Sequence, residues 1–192
     1  AANGKPITQR AKPNPSIARD VRAELVAHLV AEEKKFPHMY LDHTKKIGGP
    51  TDSKGNVTVG IGHYMANMSE VMDIRSRFYL PQEAIDAGKN IVDVLAEDFN
   101  RLFEQNAGNR KAEAFEGLTT ARMTKSEASI ILHEDVGEVI DAARFDYAAF
   151  PTFPASAKLA ILDLYFTGGI YDFPGRWKKF SEAVANRDWL TA

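Results

Sequence analysis

The residues of this chain that could do chemistry gather between Glu32 and His63, in the stretch EEKKFPHMYLDHTKKIGGPTDSKGNVTVGIGH. Two adjacent carboxylates, Glu32 and Glu33, open it; Asp42 comes nine positions after Glu33, and Thr58 stands shortly before Gly60 and Gly62. A carboxyl held against apolar surface is desolvated, which raises its pKa toward the range where it stays protonated and can donate a proton as a general acid. A second carboxylate that keeps its solvent stays ionised and can hold or activate water. Such a pair is what cleavage of a glycosidic bond requires. On the residues alone, Glu32 and Glu33 are equal candidates for the acid.

The elements that must position these groups are legible around them. Ile17, Val21, Leu25, Val26, Leu29 and Val30 recur at spacings that fit one broad apolar face of a helix entered at Ser16. That helix delivers both glutamates close to its apolar face. Pro37 breaks it, and the alternation that follows predicts a strand with Met39 and Leu41 inward and Tyr40 and Asp42 outward, toward solvent or a cleft. DSKGN at 52–56 is a turn signal, and VTVGIG after it alternates again. Val57, Val59 and Ile61 share one face of that strand. Thr58, Gly60 and Gly62 share the other, which the missing side chains leave open to a bulky ligand.

Downstream the pattern is mostly helical. A helix is expected to start near Pro81 and Gln82, with an apolar face from Ile91 to Phe103 that includes Asp98, and NAGN at 106–109 ends it. Thr124 and Glu127 form a capping box for a helix of about 125–144. Pro151 and Pro154 bracket a loop. Ser156 then caps a helix over 157–167 that is apolar nearly all round and therefore expected to be buried, so that Asp163 within it needs a partner. Gly168 and Gly169 end that helix. Tyr171, Phe173 and Trp177 are either core residues or faces on which sugar rings stack.

Bulk properties narrow the classes. The chain has 192 residues, of which 44% are hydrophobic, enough for one sizeable core or two small lobes around a cleft. It has no cysteine, which excludes a thiolate nucleophile, a disulfide framework and a cysteine zinc site. With 24 basic and 26 acidic residues the net charge of -2 gives no global field for nucleic acid. No apolar run approaches the roughly 18 residues of a membrane span, and no signal segment opens the sequence. Residues 1–15 read as a linker or a disordered start. His38, Asp42 and His43 lie close in sequence, but not in the HExxH pattern, so neither a metal nor another cofactor is expected. Serine-hydrolase and phosphate-loop signatures are also missing.

The spacing of Glu33, Asp42 and Thr58, leading into TVGIGH, resembles the catalytic triad of the phage-type lysozymes. MTKSEASIILHEDV at 123–136, LDLYFTGG at 162–169 and FSEAVANRDW at 180–189 are similar, in the same order, to later helices of that family. The resemblance implies an α+β, mostly helical, two-lobed lysozyme-like fold with a small antiparallel sheet in its N-terminal lobe. It divides 16–192 into a lobe of 16–75 and a helical lobe of 76–192. It selects Glu33 over Glu32 as the acid, with Asp42 and Thr58 as partners of the attacking water. Gly60, Gly62, Tyr64, Phe166 and Thr167 become substrate-binding positions, and His63 is expected to pair with Asp135 and tie the lobes together.

The implied activity is hydrolysis of the link between N-acetylmuramic acid and N-acetylglucosamine in peptidoglycan, by a monomer in the bacterial periplasm or on the cell wall. Another component would deliver it, as in a phage tail or an injected effector, the latter with a cognate immunity protein. The chain departs from the family in a longer connection between Asp42 and Thr58, an insertion within 70–122, and an early stop after Trp189. Two other readings fit the same residues: a lytic transglycosylase, and a lysozyme-like wall-binding module without turnover.

Overall fold

Helix α1 starts at Pro15, whose fixed backbone suits a first turn, and runs to Glu32. In the computed structural model, residues 15–32, 35–42, 56–105, 110–170 and 173–190 are described, with the backbone alone at 15–20, 32 and 42. Strands β1 (Phe36–Asp42), β2 (Asn56–Gly60) and β3 (His63–Tyr64) form an antiparallel sheet in that order. Then come α2 (Met68–Asp73), β4 (Phe78–Tyr79), α3 (Gln82–Asp86) and α4 (Ile91–Phe103). Strand β5 (Arg122–Met123) pairs with β4 and leads into α5 (Lys125–Asp146). Helices α6 (Ala155–Gly168), α7 (Phe173–Arg176) and α8 (Lys178–Ala185) complete the chain. The fold is α+β and mostly helical, with a small three-stranded antiparallel sheet.

Contacts divide the chain into a sheet-bearing unit, residues 26–136, and a helical unit made from residues 1–25 and 137–192. In the sheet-bearing unit the core gathers Met39, Leu41, Val57 and Val59 from the sheet with Leu95, Phe99 and Leu102 from α4 and Phe115 from a 3-10 turn at 112–118. The sequence predicted one helix from about 81 through 103; the structure has two. Gly88 adopts a left-handed φ of 70°, and the Asn90 side chain then caps α4 by accepting from the Asp93 amide at 2.9 Å.

The alternation expected of the sheet is overridden. Tyr40, placed on the outward face with Asp42, is buried, as are His38 and Thr58. Between Phe36 and Tyr40 the register against β2 shifts, and the 112–118 turn, α4 and β5 pack on the strands. The 70–122 stretch thus covers the sheet, and both faces read as core. His38 turns Nε2 to the Ala112 carbonyl at 3.1 Å, which ties β1 to the 112–118 turn.

Where the 112–118 turn runs into β5, side chains hold the backbone. Arg122 donates to the carbonyls of Glu116, Thr119 and Ala121, and Arg101 donates to that of Leu118. From the apolar stripe of α4, Asp98 accepts the amides of Thr120 and Ala121 through Oδ2, both at 2.8 Å. Its Oδ1 is buried with no partner among the described residues. Burial pushes the Asp98 carboxyl above the usual carboxylate range, and the two backbone hydrogen bonds only partly offset that.

In the helical unit, aromatic rings do most of the filling. Tyr147 meets Phe153 and Tyr165, Tyr165 stacks on Phe173 at 4.0 Å between centroids, and Phe153 meets Trp189 edge-on. Two buried phenols find partners: Tyr165 donates to Asp146 at 2.6 Å and Tyr147 to Ser181 at 3.0 Å. Helix α6 was expected to be buried on every side. It buries Ile161, Leu162 and Tyr165 on one stripe, while Ala160 is exposed and Leu159, Leu164 and Phe166 are half-buried. The same stripe buries Lys158, whose Nζ donates to the Pro151 carbonyl at 2.9 Å and whose pKa burial lowers.

Removing the Asp98 carboxylate orphans two buried amides, so Asp98→Ala should lower stability by about 3 kcal/mol in urea unfolding. The pH dependence has a definite sign. Because the folded pKa is raised, the contribution of this group is fully present below its unfolded value of about 3.9 and declines as pH rises through the folded value. The stability gap between wild type and Asp98→Asn, which keeps an acceptor but cannot ionise, should therefore be widest in acid and narrow on raising the pH.

Candidate functional site

Two of the predicted catalytic residues, Asp42 and Thr58, fall on neighbouring strands of the sheet-bearing unit. Glu33 lies outside the described residues, in the segment that joins α1, ending at Glu32, to β1, starting at Phe36. Asp42 ends β1 opposite Asn56, and Thr58 sits two residues on, opposite Tyr40. The register therefore brings the backbones at Asp42 and Thr58 onto neighbouring strands as diagonal neighbours, positions whose Cβ atoms are typically about 7–8 Å apart. Residues 43–55, which include His43 and most of the connection between the two strands, are outside the described residues.

Thr58 is central in the sheet, with Tyr40 on one side and Tyr64 on the other. Its side chain is only 2% exposed, and its hydroxyl donates to the Asn56 carbonyl at 3.1 Å. Tyr64, by contrast, is 51% exposed. Gly60 and Gly62 flank Ile61 in the turn from β2 to β3, with φ of 65° and 76°, so both residues hold backbone that side chains rarely adopt.

The open floor expected at Gly60 is filled by the chain itself. A Cβ built on Gly60 would meet the Ala128 Cβ at 3.2 Å and Met123 Sδ at 3.8 Å. Ala128 belongs to the first turns of α5, so the missing side chain at Gly60 admits a helix to the strand. Thr124 starts that helix, its hydroxyl accepting the Glu127 amide at 3.1 Å. The Glu127 carboxylate does not close the box. Arg77 takes it at 2.9 Å and takes Glu134, two turns along α5, at 2.8 Å.

His63 and Asp135 are brought together. The His63 Nδ1 lies 3.0 Å from both carboxylate oxygens of Asp135, so Nδ1 carries the proton of this contact. Both residues belong to the sheet-bearing unit, and their pair fastens β3 to α5 within it. Near Glu33 in sequence, Lys35, Phe36 and Pro37 close against Met123, Thr124, Lys125 and Ala128 around a cavity of about 30 Å³, the size of a water site.

Phe166 and Thr167 lie at the end of α6, in the helical unit. Phe166 is half-buried, and exposed Thr167 donates its hydroxyl to the Asp163 carbonyl at 2.9 Å. Among the described residues no three His, Asp or Glu side chains gather as metal ligands, and no helix is long and apolar enough to cross a membrane. The anchors that sequence reasoning missed are Asp98 and His38. Asp98 had a visible signal, a carboxylate inside the apolar stripe of α4. His38 had none beyond its place in a strand. No family model, curated protein or solved structure matches the chain.

Gly60→Ala should test the close approach of α5. The left-handed backbone alone costs about 1–2 kcal/mol with a side chain, and Gly88, with a φ of 70° and nothing within 4 Å, isolates that part. Gly60→Ala is expected to lose about 1 kcal/mol more than Gly88→Ala in urea unfolding, the excess reporting the displaced Ala128. Equal losses would mean that the helix shifts without cost.

Proposed function

We propose that this chain is a peptidoglycan-cleaving glycoside hydrolase, a muramidase of lysozyme-like, two-lobed fold. The observation that carries the reading is the β1–β2 register, which puts Asp42 and Thr58 on neighbouring strands directly after the segment that holds Glu33. A general acid, an ionised carboxylate and a hydroxyl within one small sheet unit are the groups an inverting glycosidase uses.

In the proposed reaction Glu33 gives its proton to the glycosidic oxygen as the bond from that oxygen to the anomeric carbon breaks. A water held by Asp42 and Thr58 attacks that carbon from the opposite face and passes its proton to Asp42, which inverts the configuration. That route needs the two carboxyls about 6.5–9.5 Å apart, room for the water between them. Gly62, exposed Tyr64, Phe166 and Thr167 are the proposed contacts to the glycan. Gly60, closed off by Ala128, serves the fold instead. The substrate places the activity in the periplasm or on the cell wall, reached through a delivering component, with an immunity protein as the partner of an injected form.

The position of the Thr58 hydroxyl, buried and already donating to Asn56, favours a second reading. A lytic transglycosylase needs a catalytic glutamate and no threonine-held water; it closes the muramic acid onto its own hydroxyl and releases an anhydro sugar. Purified peptidoglycan decides among the readings. Glu33→Gln should lose about 10³-fold in turbidity clearance while Glu32→Gln retains activity, and mass spectrometry should find reducing ends. Anhydro ends would replace hydrolysis by transglycosylation. Full activity in Glu33→Gln, or no clearance by wild type, would overturn both.

A further inference from the structure

The sequence left Tyr171, Phe173 and Trp177 between two roles, core and sugar contact; Tyr171 lies outside the described residues, and the structure separates the other two. Tyr165, Phe173 and Trp177 form a stack of three rings, with centroids 4.0 Å and 6.2 Å apart and interplanar angles of 28° and 17°. The two inner rings are fully buried, while Trp177 is 45% exposed. The indole thus lies nearly parallel to Phe173 and stays about half open to solvent, backed by rings that are themselves closely packed. Exposed cations flank it in the chain: Arg176, Lys178 and Lys179. Arg176 is fixed by donating to the Gly168 carbonyl at 3.0 Å, and neither lysine has an ion-pair partner among the described residues.

We infer that Trp177 is a binding platform for an acidic glycan, a pyranose polymer whose carboxylates are met by Arg176, Lys178 and Lys179. The negative face of the indole attracts the polarised C–H bonds of a sugar ring, and the cations supply the charge-assisted hydrogen bonds that a carboxylate accepts. Nucleic acid fits less well: single strands are bound by aromatic platforms along a positive groove, and a chain of net charge -2 offers no such field. A lipid surface fits less well too, since the indole is backed by Phe173 and bordered by charges, where an interfacial anchor needs apolar neighbours to insert. This surface goes beyond the proposed cleavage, and its binding is read without turnover, so either idea can fail while the other stands.

Affinity electrophoresis of the full chain through gels containing polygalacturonate, neutral dextran or polyuridylate tests the inference. Retardation is expected in polygalacturonate, to be weakened by salt and small in dextran. Trp177→Ala should weaken it by about tenfold or more, a loss in the range measured for removing one aromatic stacking partner. Trp177→Phe should recover part of that loss. Because Trp177 also packs on Phe173, the Lys178→Gln/Lys179→Gln double variant provides a second measure; it should keep the wild-type melting temperature and lose affinity several-fold. Glu33→Gln should bind as wild type does. Absence of retardation in polygalacturonate, stronger retardation by polyuridylate, or unchanged binding in both Trp177→Ala and the double lysine variant would overturn the inference.

Discussion

The approach of helix α5 to the sheet at Gly60 is the contact on which the rest of the sheet-bearing unit depends. A strand and a helix come together there with no side chain between them, because Gly60 has none and Ala128 has a methyl group. Such a contact fixes distance but leaves sliding and tilt to be set by other groups. The His63–Asp135 pair fastens the next strand to α5 further along, and Arg77 grips Glu127 and Glu134, two turns apart. Van der Waals contact sets the spacing; charged pairs at the rim set the angle. This division suits their energetics, since partly exposed ion pairs contribute little stability but hold geometry well.

The opposite side of the same unit is built on another economy. Residues 119–121, between the 112–118 turn and β5, run without regular structure, yet Asp98 and Arg122 supply partners to backbone amides and carbonyls that a helix or a strand would have paired, and Arg101 takes the Leu118 carbonyl just before them. An irregular segment can be buried only when such groups are met, because an orphaned buried amide or carbonyl is costly. Asp98 meets two amides with one oxygen, and its other oxygen has no partner among the described residues. Burial of the carboxyl, only partly offset by those two amides, couples its protonation to folding.

How much of this was legible depended on whether a signal was local. The start of α5, the apolar face of α4 and the β2 strand were written in the Thr124 cap, the 91–103 periodicity and the DSKGN turn, each a rule acting within a few residues, and the entry of α1, expected at Ser16, falls one residue earlier at Pro15. The His63–Asp135 contact reached across the chain only through a family resemblance, as did the choice of Glu33. What alternation could not reveal was the covering of both sheet faces. A strand with one polar residue in two reads as half-exposed, and whether a later segment packs on it is a tertiary fact that Tyr40 and Thr58 do not carry. Lys158 was not singled out in the sequence; its stem is buried and its ammonium donates to the Pro151 carbonyl.

The packing of Tyr165, Phe173 and Trp177 makes a half-exposed indole inherit its tilt from the interior. The volume enclosed around Tyr165 determines how Phe173 leans, and Phe173 in turn determines which way the indole is presented. A methyl group gained or lost deep in the helical unit would thus reorient a patch of its skin without any change to the residues displayed there. Recognition at that patch is in this sense a property of the core, open to adjustment by substitutions that no inspection of the surface would single out.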